Sequence, residues 1–196
     1  MICAVLIPSR ARPTRLHRTL TSIFETVSNK DNIEILLRFD DDDQETLSEL
    51  DKFKSYPNTK ITIGPRKNGW NSVNEFYSEM ANETTAPWIS IMNDDAVFEG
   101  KDWDVSLNTF PRRGIIVQPE LYQLGMSKYF NIEGGAFPFV PNGCWKQFGY
   151  EIIPDPVDTQ LDCILRIDNG WKTEFLVGFG IIHDRDDEET LNLHRS

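Results

Sequence analysis

The fold is decided by residues 88–98, which read WISIMNDDAVF. The apolar run 88–92 has the pattern of a buried strand, and Asn93 then leads into two adjacent carboxylates, Asp94 and Asp95. In open α/β sheets, ligands bind outside the carboxyl ends of the strands, which is where these carboxylates would lie. Their hard oxygen atoms suit Mg2+ or Mn2+, although aspartates also occur commonly in plain turns.

Strands and helices alternate along the first 95 residues. Four apolar runs predict strands, at 2–8, 33–39, 60–64 and 87–92. Apolar residues between them recur at helical spacing and predict three helices, the first of which opens at Pro13. This alternation predicts an α/β fold with a mainly parallel sheet flanked by helices. Right-handed crossovers bring the carboxyl ends of such strands to one edge, where we expect these residues to converge: Ser9, Arg10, Asp40, Arg66 and Asp95.

The second half of the chain is less regular. Residues 114–118 and 174–182 predict strands. Helices are predicted at 103–110, at 142–149, and from Asp155 to about Gly170. Residues 119–142 are predicted to form a long connection rich in aromatic residues, and connections of this length are usually functional or mobile.

Charge and cysteine usage limit the classes of function. A net charge of −11 disfavours nonspecific binding to nucleic acid or to anionic membranes, because both need a basic surface. No stretch approaches the roughly 20 apolar residues of a membrane span. The apolar N-terminus lacks a preceding basic segment, so it is typical of a first strand rather than a signal peptide. Three widely spaced cysteines indicate neither a disulfide framework nor a zinc site, which predicts a reducing, cytoplasmic location.

The order of these motifs resembles that of family 2 glycosyltransferases with the GT-A fold. The opening strand and basic turn of that family are similar to residues 5–13, VLIPSRARP. The acids that end its second strand are similar to Asp40 and Asp41, and its Asn-x-Gly loop is similar to Asn68-Gly69. Its DXD motif is similar to residues 93–95, where Asn replaces the first acid. Two later segments are also similar to the family pattern: 134–137 with Trp145, and the acid-rich helix 158–170.

The resemblance implies transfer of a sugar from a nucleotide diphosphate sugar, with a UDP-sugar favoured, to a hydroxyl of a glycan or another acceptor. It also implies inversion at the anomeric carbon and a Mn2+ or Mg2+ cofactor. The whole chain, 1–196, is then one GT-A-like domain. Its nucleotide-sugar-binding half is 1–98, its acceptor-binding half is 99–184, and 185–196 is a polar tail.

The resemblance assigns roles to individual residues at the predicted strand ends. Asp95 is the direct metal ligand, Asp94 contacts the ribose or reaches the metal through water, and His183 is the third metal candidate. By contrast, Asp42 and Asp43 are expected to cap the next helix and to interact favourably with its N-terminus. The candidates for nucleotide binding lie at strand ends and in the following loops: Pro8, Ser9, Arg10, Asp40, Arg66, Asn68 and Asp94.

The general base has to be an ionised carboxylate near the acceptor. Asp155 is explained as a helix N-cap before Pro156, and Asp162 by an i, i+4 pair with Arg166. Asp158 has the weakest structural explanation and is the first candidate for the base, with Asp162 second. Three residues are the candidates for contact with the acceptor: Gly135, Phe137 and Trp145.

Two other classes of function stay open. A nucleotidyltransferase also places metal-binding carboxylates on an α/β sheet, but it would be expected to carry a glycine-rich basic phosphate loop, and residues 8–12 contain no glycine. A non-catalytic nucleotide- or carbohydrate-binding module of the same fold is kept open by Asn93, which stands where the DXD motif has an acid.

Overall fold

A computed structural model of the chain describes residues 1–67, 71–123, 137–144 and 170–183. The strands in these ranges are β1 (Cys3–Ser9), β2 (Ile33–Asp40), β3 (Thr59–Gly64), β4 (Trp88–Ile91), β5 (Ala96–Glu99), β6 (Ile115–Gln123), β7 (Phe139–Pro141) and β8 (Lys172–His183). The helices are α1 (Pro13–Thr26), α2 (Gln44–Leu47), α3 (Leu50–Lys54), α4 (Asn71–Asn82) and α5 (Trp103–Leu107). No helix in the described part of the chain is long and apolar enough to cross a bilayer.

The eight described strands form one sheet in the order β3-β2-β1-β4-β7-β6-β8-β5. The strands from β1 to β4 run parallel, with β1 paired between β2 and β4. The chain therefore steps from β1 through β2 to β3 on one side and returns to β4 on the other. Such a reversal of strand order opens a crevice at the carboxyl ends of the strands, the usual position for a ligand in an open α/β sheet.

Helices cover both faces of the sheet, as the alternating pattern predicted. One apolar cluster joins the sheet to α1, α3 and α5, and its largest fully buried side chains include Phe39, Phe53 and Trp103. A second cluster lies on the opposite face, where Phe76 and Met80 of α4 pack against the sheet. The predicted α/β class is confirmed.

The second half of the sheet differs from the predicted one. Two short strands were not predicted, and both are antiparallel: β5 pairs with β8, and β7 pairs with β4 and β6. The helix predicted after Asp43 is two short helices, α2 and α3. Residues 142–144 are helical, as predicted for 142–149, but the remainder of that helix and the one predicted from Asp155 lie outside the described residues.

A glycine fixes where β5 ends. Gly100 has a φ of 101°, and a Cβ at this position would come within 2.4 Å of the carbonyl oxygen of Gly178 in β8. Only glycine allows this close approach without displacement of backbone. The turn thereby helps to set the register of the two strands, in which Ala96 is paired with His183.

A buried carboxylate ties α5 to the segment that follows α1. Asp104 is fully buried, and its two oxygens accept hydrogen bonds from the backbone N–H of Ser28 at 2.8 Å and of Asn29 at 3.3 Å. The side-chain amide of Asn32 donates a third bond at 2.8 Å. Hydrogen bonds to a charged acceptor contribute more than neutral ones, and their loss leaves buried donors without partners.

Asp104→Ala is expected to lower the free energy of unfolding by about 3 kcal/mol, because three donors lose one charged acceptor. Urea denaturation followed by circular dichroism measures this change. Asp51→Ala, at an exposed position of α3, is the control and is expected to change stability by less than about 0.5 kcal/mol. Equal effects of the two substitutions would contradict a structural role for the Asp104 carboxylate.

Candidate active site

The candidate site is centred on residues 9–12, which we name the β1 loop. The sequence of this loop is Ser-Arg-Ala-Arg, and it leaves the sheet between the ends of β2 and β4. Asp40 ends β2 on one side, and Asp94 and Asp95 follow β4 on the other. The loop therefore lies at the reversal of strand order, between two groups of acids.

The β4 side of the loop holds Asp94 and Asp95. The Ser9 hydroxyl donates a hydrogen bond to Oδ2 of Asp94 at 2.6 Å, and Arg12 Nη2 lies 2.7 Å from Oδ1 of the same carboxylate. Arg12 Nη1 lies 3.7 Å from Oδ2 of Asp95. In addition, Thr19 of α1 donates a hydrogen bond to the backbone carbonyl of Asp94 at 2.9 Å. The acid pair is thus held by side chains from β1 and from the start of α1.

The β2 side of the loop holds the second group of acids. Arg10 lies 2.9 Å from Asp40 and also pairs with Asp42. The hydrogen bond from Arg10 lowers the pKa of Asp42, and the positive charge of Arg66 acts in the same direction. The backbone N–H of Ala11 donates to Asp43 at 2.8 Å.

Asp42 and Asp43 were both predicted to act at the N-terminus of the next helix. Asp43 is the N-cap of α2, because its side chain accepts a hydrogen bond from the backbone N–H of Thr46 at 3.2 Å. This confirms its predicted role at the helix N-terminus. Asp42 directly precedes this N-cap residue, and its exposed carboxylate pairs with Arg10, so its role at the helix N-terminus stays a prediction.

Arg38 is a buried cation beside Asp40 that the sequence analysis missed. Its side chain is 2% exposed, and its Nη1 lies 3.6 Å from Oδ1 of Asp40. Its Cζ lies 4.4 Å from the centroid of the Phe76 ring, and its Nη2 donates to the carbonyl oxygen of Pro65 at 3.0 Å. Asp40 is therefore oriented between two guanidinium groups. The signal in the sequence was a single charged residue near the end of the otherwise apolar run 35–39.

The register of β5 and β8 brings the backbone of His183 next to the acid pair. His183 is paired with Ala96, the residue that directly follows Asp95. The side chain of His183 lies outside the described part of the structure.

The remaining candidates fall into two groups. Pro8 is partly buried in β1 opposite Arg38, and Phe137 is 4% exposed within the main core, so its burial does not support the predicted contact with an acceptor. The other candidates lie outside the described residues: Asn68, Gly135, Trp145, Asp158 and Asp162.

The acid pair has the chemistry of a divalent-cation site. Asp94 and Asp95 offer hard carboxylate oxygens at a single strand end, the donor type that suits Mg2+ and Mn2+. The contact of Arg12 with Asp94 Oδ1 is an ion pair rather than a well-directed hydrogen bond, so this buried oxygen retains acceptor capacity. Among the described side chains, no three histidine, cysteine or acidic residues gather as a metal site.

Burial dominates the electrostatics of Asp94. Loss of solvent raises the pKa of Asp94 to about 6, although the positive charge of Arg12 and the Ser9 hydrogen bond oppose this increase. The negative charge of Asp95 acts in the same direction as burial. The Asp94 carboxyl therefore takes up a proton at a higher pH in the folded protein than in the unfolded chain.

A cavity of about 670 Å³ lies at the opposite edge of the sheet. It is lined by residues that precede β4, β6 and β8, including Pro87, Arg113 and Trp171. Because β4, β6 and β8 all begin at this edge, the cavity is separated from the β1 loop by the length of the strands.

The pKa of Asp94 predicts how stability depends on pH in the absence of divalent cations. Between about pH 4 and pH 6 the folded state binds more protons than the unfolded state, so the free energy of unfolding attributable to Asp94 falls as the pH rises. The fall is at most about 3 kcal/mol. Urea denaturation across this range in EDTA measures it.

Asp94→Asn is expected to remove this part of the pH dependence. The exposed-site variant Asp51→Asn serves as the control and is expected to keep the wild-type profile. Parallel profiles for Asp94→Asn and the wild type would show that Asp94 does not titrate in this range.

Comparison with solved structures identifies proteins of similar fold. S. aureus TarS 1–349 in complex with UDP has a TM-score of 0.73 and 9% identity, over 93% of this chain and 60% of that one. The mannosyltransferase PcManGT from Pyrobaculum calidifontis, in complex with GDP-Man and Mn2+, has a TM-score of 0.74 and 12% identity, over 97% of this chain and 59% of that one. At these identities the likeness shows a shared fold, and the chain spans about 60% of the length of each of these structures.

Comparison of the sequence with curated proteins gave no significant match. The family model for glycosyl transferase family 2, however, matches residues 4–156, which include β1, the β1 loop, Asp40 and the acid pair. That match covers most of the 196 residues, and the GT-A fold agrees with it. The chain therefore belongs to glycosyl transferase family 2.

Proposed function

We propose that this protein transfers a sugar from a nucleotide diphosphate sugar to an acceptor hydroxyl, with a divalent metal and with inversion at the anomeric carbon. The observation that carries the proposal is the acid pair at the end of β4. Asp94 and Asp95 are buried at the reversal of strand order and are joined through the β1 loop to Asp40. Family membership supports the same chemistry.

The donor would bind along the β1 loop. Asp40 would accept a hydrogen bond from an N–H of the base, and Arg38 and Arg10 hold its carboxylate in place. Ser9 and Arg10 have polar groups that suit base or phosphate, and Arg66 lies on the exposed side near Asp42. Pro8, Asn68 and Asp94 complete the proposed set. UDP is the favoured nucleotide, and the TarS structure was solved with UDP.

Asp94 and Asp95 are the proposed holders of Mn2+ or Mg2+. Asp95 would bind the ion directly, and Asp94 would contact the ribose or act through water. His183 would be the third ligand, which is supported by its backbone pairing with Ala96. Neutralisation of charge on the departing diphosphate is the chemistry that the ion supplies when bound. The PcManGT structure contains Mn2+.

The acceptor side supplies the base. As the acceptor oxygen forms its bond to the anomeric carbon, the bond from that carbon to the diphosphate breaks, and the diphosphate leaves with the electron pair. The proton of the acceptor hydroxyl passes to the carboxylate of Asp158, with Asp162 as the second candidate. Gly135 and Trp145 are proposed to contact the acceptor, a glycan or another hydroxyl compound.

A cytoplasmic location and the absence of a nucleic-acid partner complete the proposal. Cys3 and Cys144 are buried free thiols, as expected in a reducing compartment. The net charge of −11 opposes a nucleic-acid partner.

A non-catalytic nucleotide-binding module is the second candidate, favoured by one observation. Asn93 stands in the position of the first DXD acid, which removes one negative charge from the proposed ion site. Such a module would bind UDP but would not turn over a nucleotide sugar.

Titration calorimetry with UDP tests the donor site. We expect UDP to bind at least about tenfold more tightly with Mn2+ than in EDTA, because the acid pair holds the ion that faces the diphosphate. Asp95→Asn is expected to abolish this difference, whereas Asp51→Asn is expected to preserve it. If UDP does not bind with or without Mn2+, the donor site is absent.

Turnover separates the enzyme from the binding module. Hydrolysis or transfer of a UDP-sugar is expected for the wild type, and Asp158→Asn is expected to reduce the rate by about 10²- to 10⁴-fold while UDP affinity stays unchanged. Asp162→Asn is the matched variant and is expected to have the smaller effect. Binding without any Mn2+- or Mg2+-dependent turnover of nucleotide sugars would favour the module.

A further inference from the structure

Arg12 holds an unusual position at the start of α1. It is the N-cap residue of this helix and makes no capping hydrogen bond through its side chain. Serine, threonine, aspartate and asparagine are the residues that favour this position, and the helix dipole disfavours a positive charge there. The first turn of α1 also contains no acid that would offset the charge. Local helix energetics therefore do not explain an arginine at this position.

The acid pair does explain it. The guanidinium of Arg12 lies 2.7 Å from Asp94 and 3.7 Å from Asp95, whose side chains are 1% and 5% exposed. Two adjacent carboxylates with so little solvent need a nearby positive charge, because buried charges without partners are strongly destabilising. The side chain of Arg12 itself is 19% exposed, so it retains more solvent contact than either acid.

The positive charge of Arg12 in this arrangement conflicts with a divalent ion at the acid pair. A unit charge and a divalent charge about 5 Å apart repel each other enough to weaken ion binding about tenfold even at the dielectric constant of water. Ion binding therefore favours departure of the guanidinium from the carboxylates. A diphosphate held at that ion would lie beside the same residue, and a guanidinium binds phosphate oxygens in a bidentate fork.

We propose that Arg12 is an exchangeable counter-ion of the acid pair. It neutralises Asp94 and Asp95 while the pair holds no metal, and it pairs with the diphosphate of the donor once the metal has bound at Asp95. Arg12 thereby becomes a donor-binding residue, and release of the carboxylates is coupled to capture of the diphosphate. The inference rests on the proposed function of the acid pair as a metal site.

The test measures two affinities of Arg12→Gln that are expected to change in opposite directions. The affinity for Mn2+ in the absence of nucleotide, measured by electron paramagnetic resonance or calorimetry, is expected to increase about tenfold or more, because the competing guanidinium is gone. UDP binding at saturating Mn2+ is expected to become about tenfold weaker, because the diphosphate loses its arginine. Partial unfolding would weaken both and cannot produce this pattern.

Two further variants serve as controls, one for the charge at position 12 and one for net charge. Arg12→Lys retains the charge without the bidentate fork, so it is expected to bind Mn2+ close to the wild-type affinity and UDP more weakly than the wild type. Arg113→Gln removes an equal charge at the opposite edge of the sheet and is expected to leave both affinities unchanged.

A different result would refute each part of the proposal. Mn2+ affinity of Arg12→Gln that equals or falls below that of the wild type would refute the counter-ion role. Unchanged UDP affinity would refute the pairing with diphosphate. If neither the wild type nor Arg12→Gln binds Mn2+, the metal site of the proposed function fails as well, which distinguishes that failure from failure of the exchange alone.

Discussion

The assembly of the candidate site depends on neutralisation of the Asp94 charge in the buried turn that follows β4. A carboxylate without solvent costs several kcal/mol unless it is paired and hydrogen-bonded, and Asp94 obtains both from the β1 loop, through Ser9 and Arg12. Thr19 adds a bond to its backbone carbonyl, which fixes α1 over the end of β4. The contacts that anchor the first helix are therefore also contacts that hold the candidate site together.

The β1 loop also resolves an electrostatic difficulty of this chain. Under the proposed function, a protein with a net charge of −11 has to bring an anionic nucleotide sugar to an edge that already carries the acids of β2 and β4. Arg10 neutralises one group of acids and Arg12 the other, so a single four-residue segment supplies positive charge to both. The loop lies at the reversal of strand order, where the ends of neighbouring strands separate and leave room for a ligand.

Much of this edge could be predicted because its signals are local. Long apolar runs and helical spacing marked the four parallel strands and the start of α1 at Pro13, and right-handed crossovers then required Asp40 and Asp95 to meet. Strands β5 and β7 escaped prediction, since β5 follows directly on the acid pair and β7 lies within the predicted long connection 119–142, so neither stands out as a separate apolar run. The partners of Arg12 also escaped, because its guanidinium meets Asp94 and Asp95 only after β1 and β4 have paired. Arg38 and Asp40, by contrast, are two residues apart in β2 and lie on the same face of the strand, so this pair was open to prediction.

The sequence by itself determined the class of the fold, the edge at which the acids gather and the family to which the chain belongs, because periodicity and the order of motifs are properties of neighbouring residues. Tertiary structure alone decided that the Arg12 guanidinium pairs with the two acids, that Asp40 lies between two arginines, and that the backbone of His183 pairs with Ala96. These are contacts between residues up to about 90 positions apart, and such contacts depend on burial and register, which no local pattern encodes.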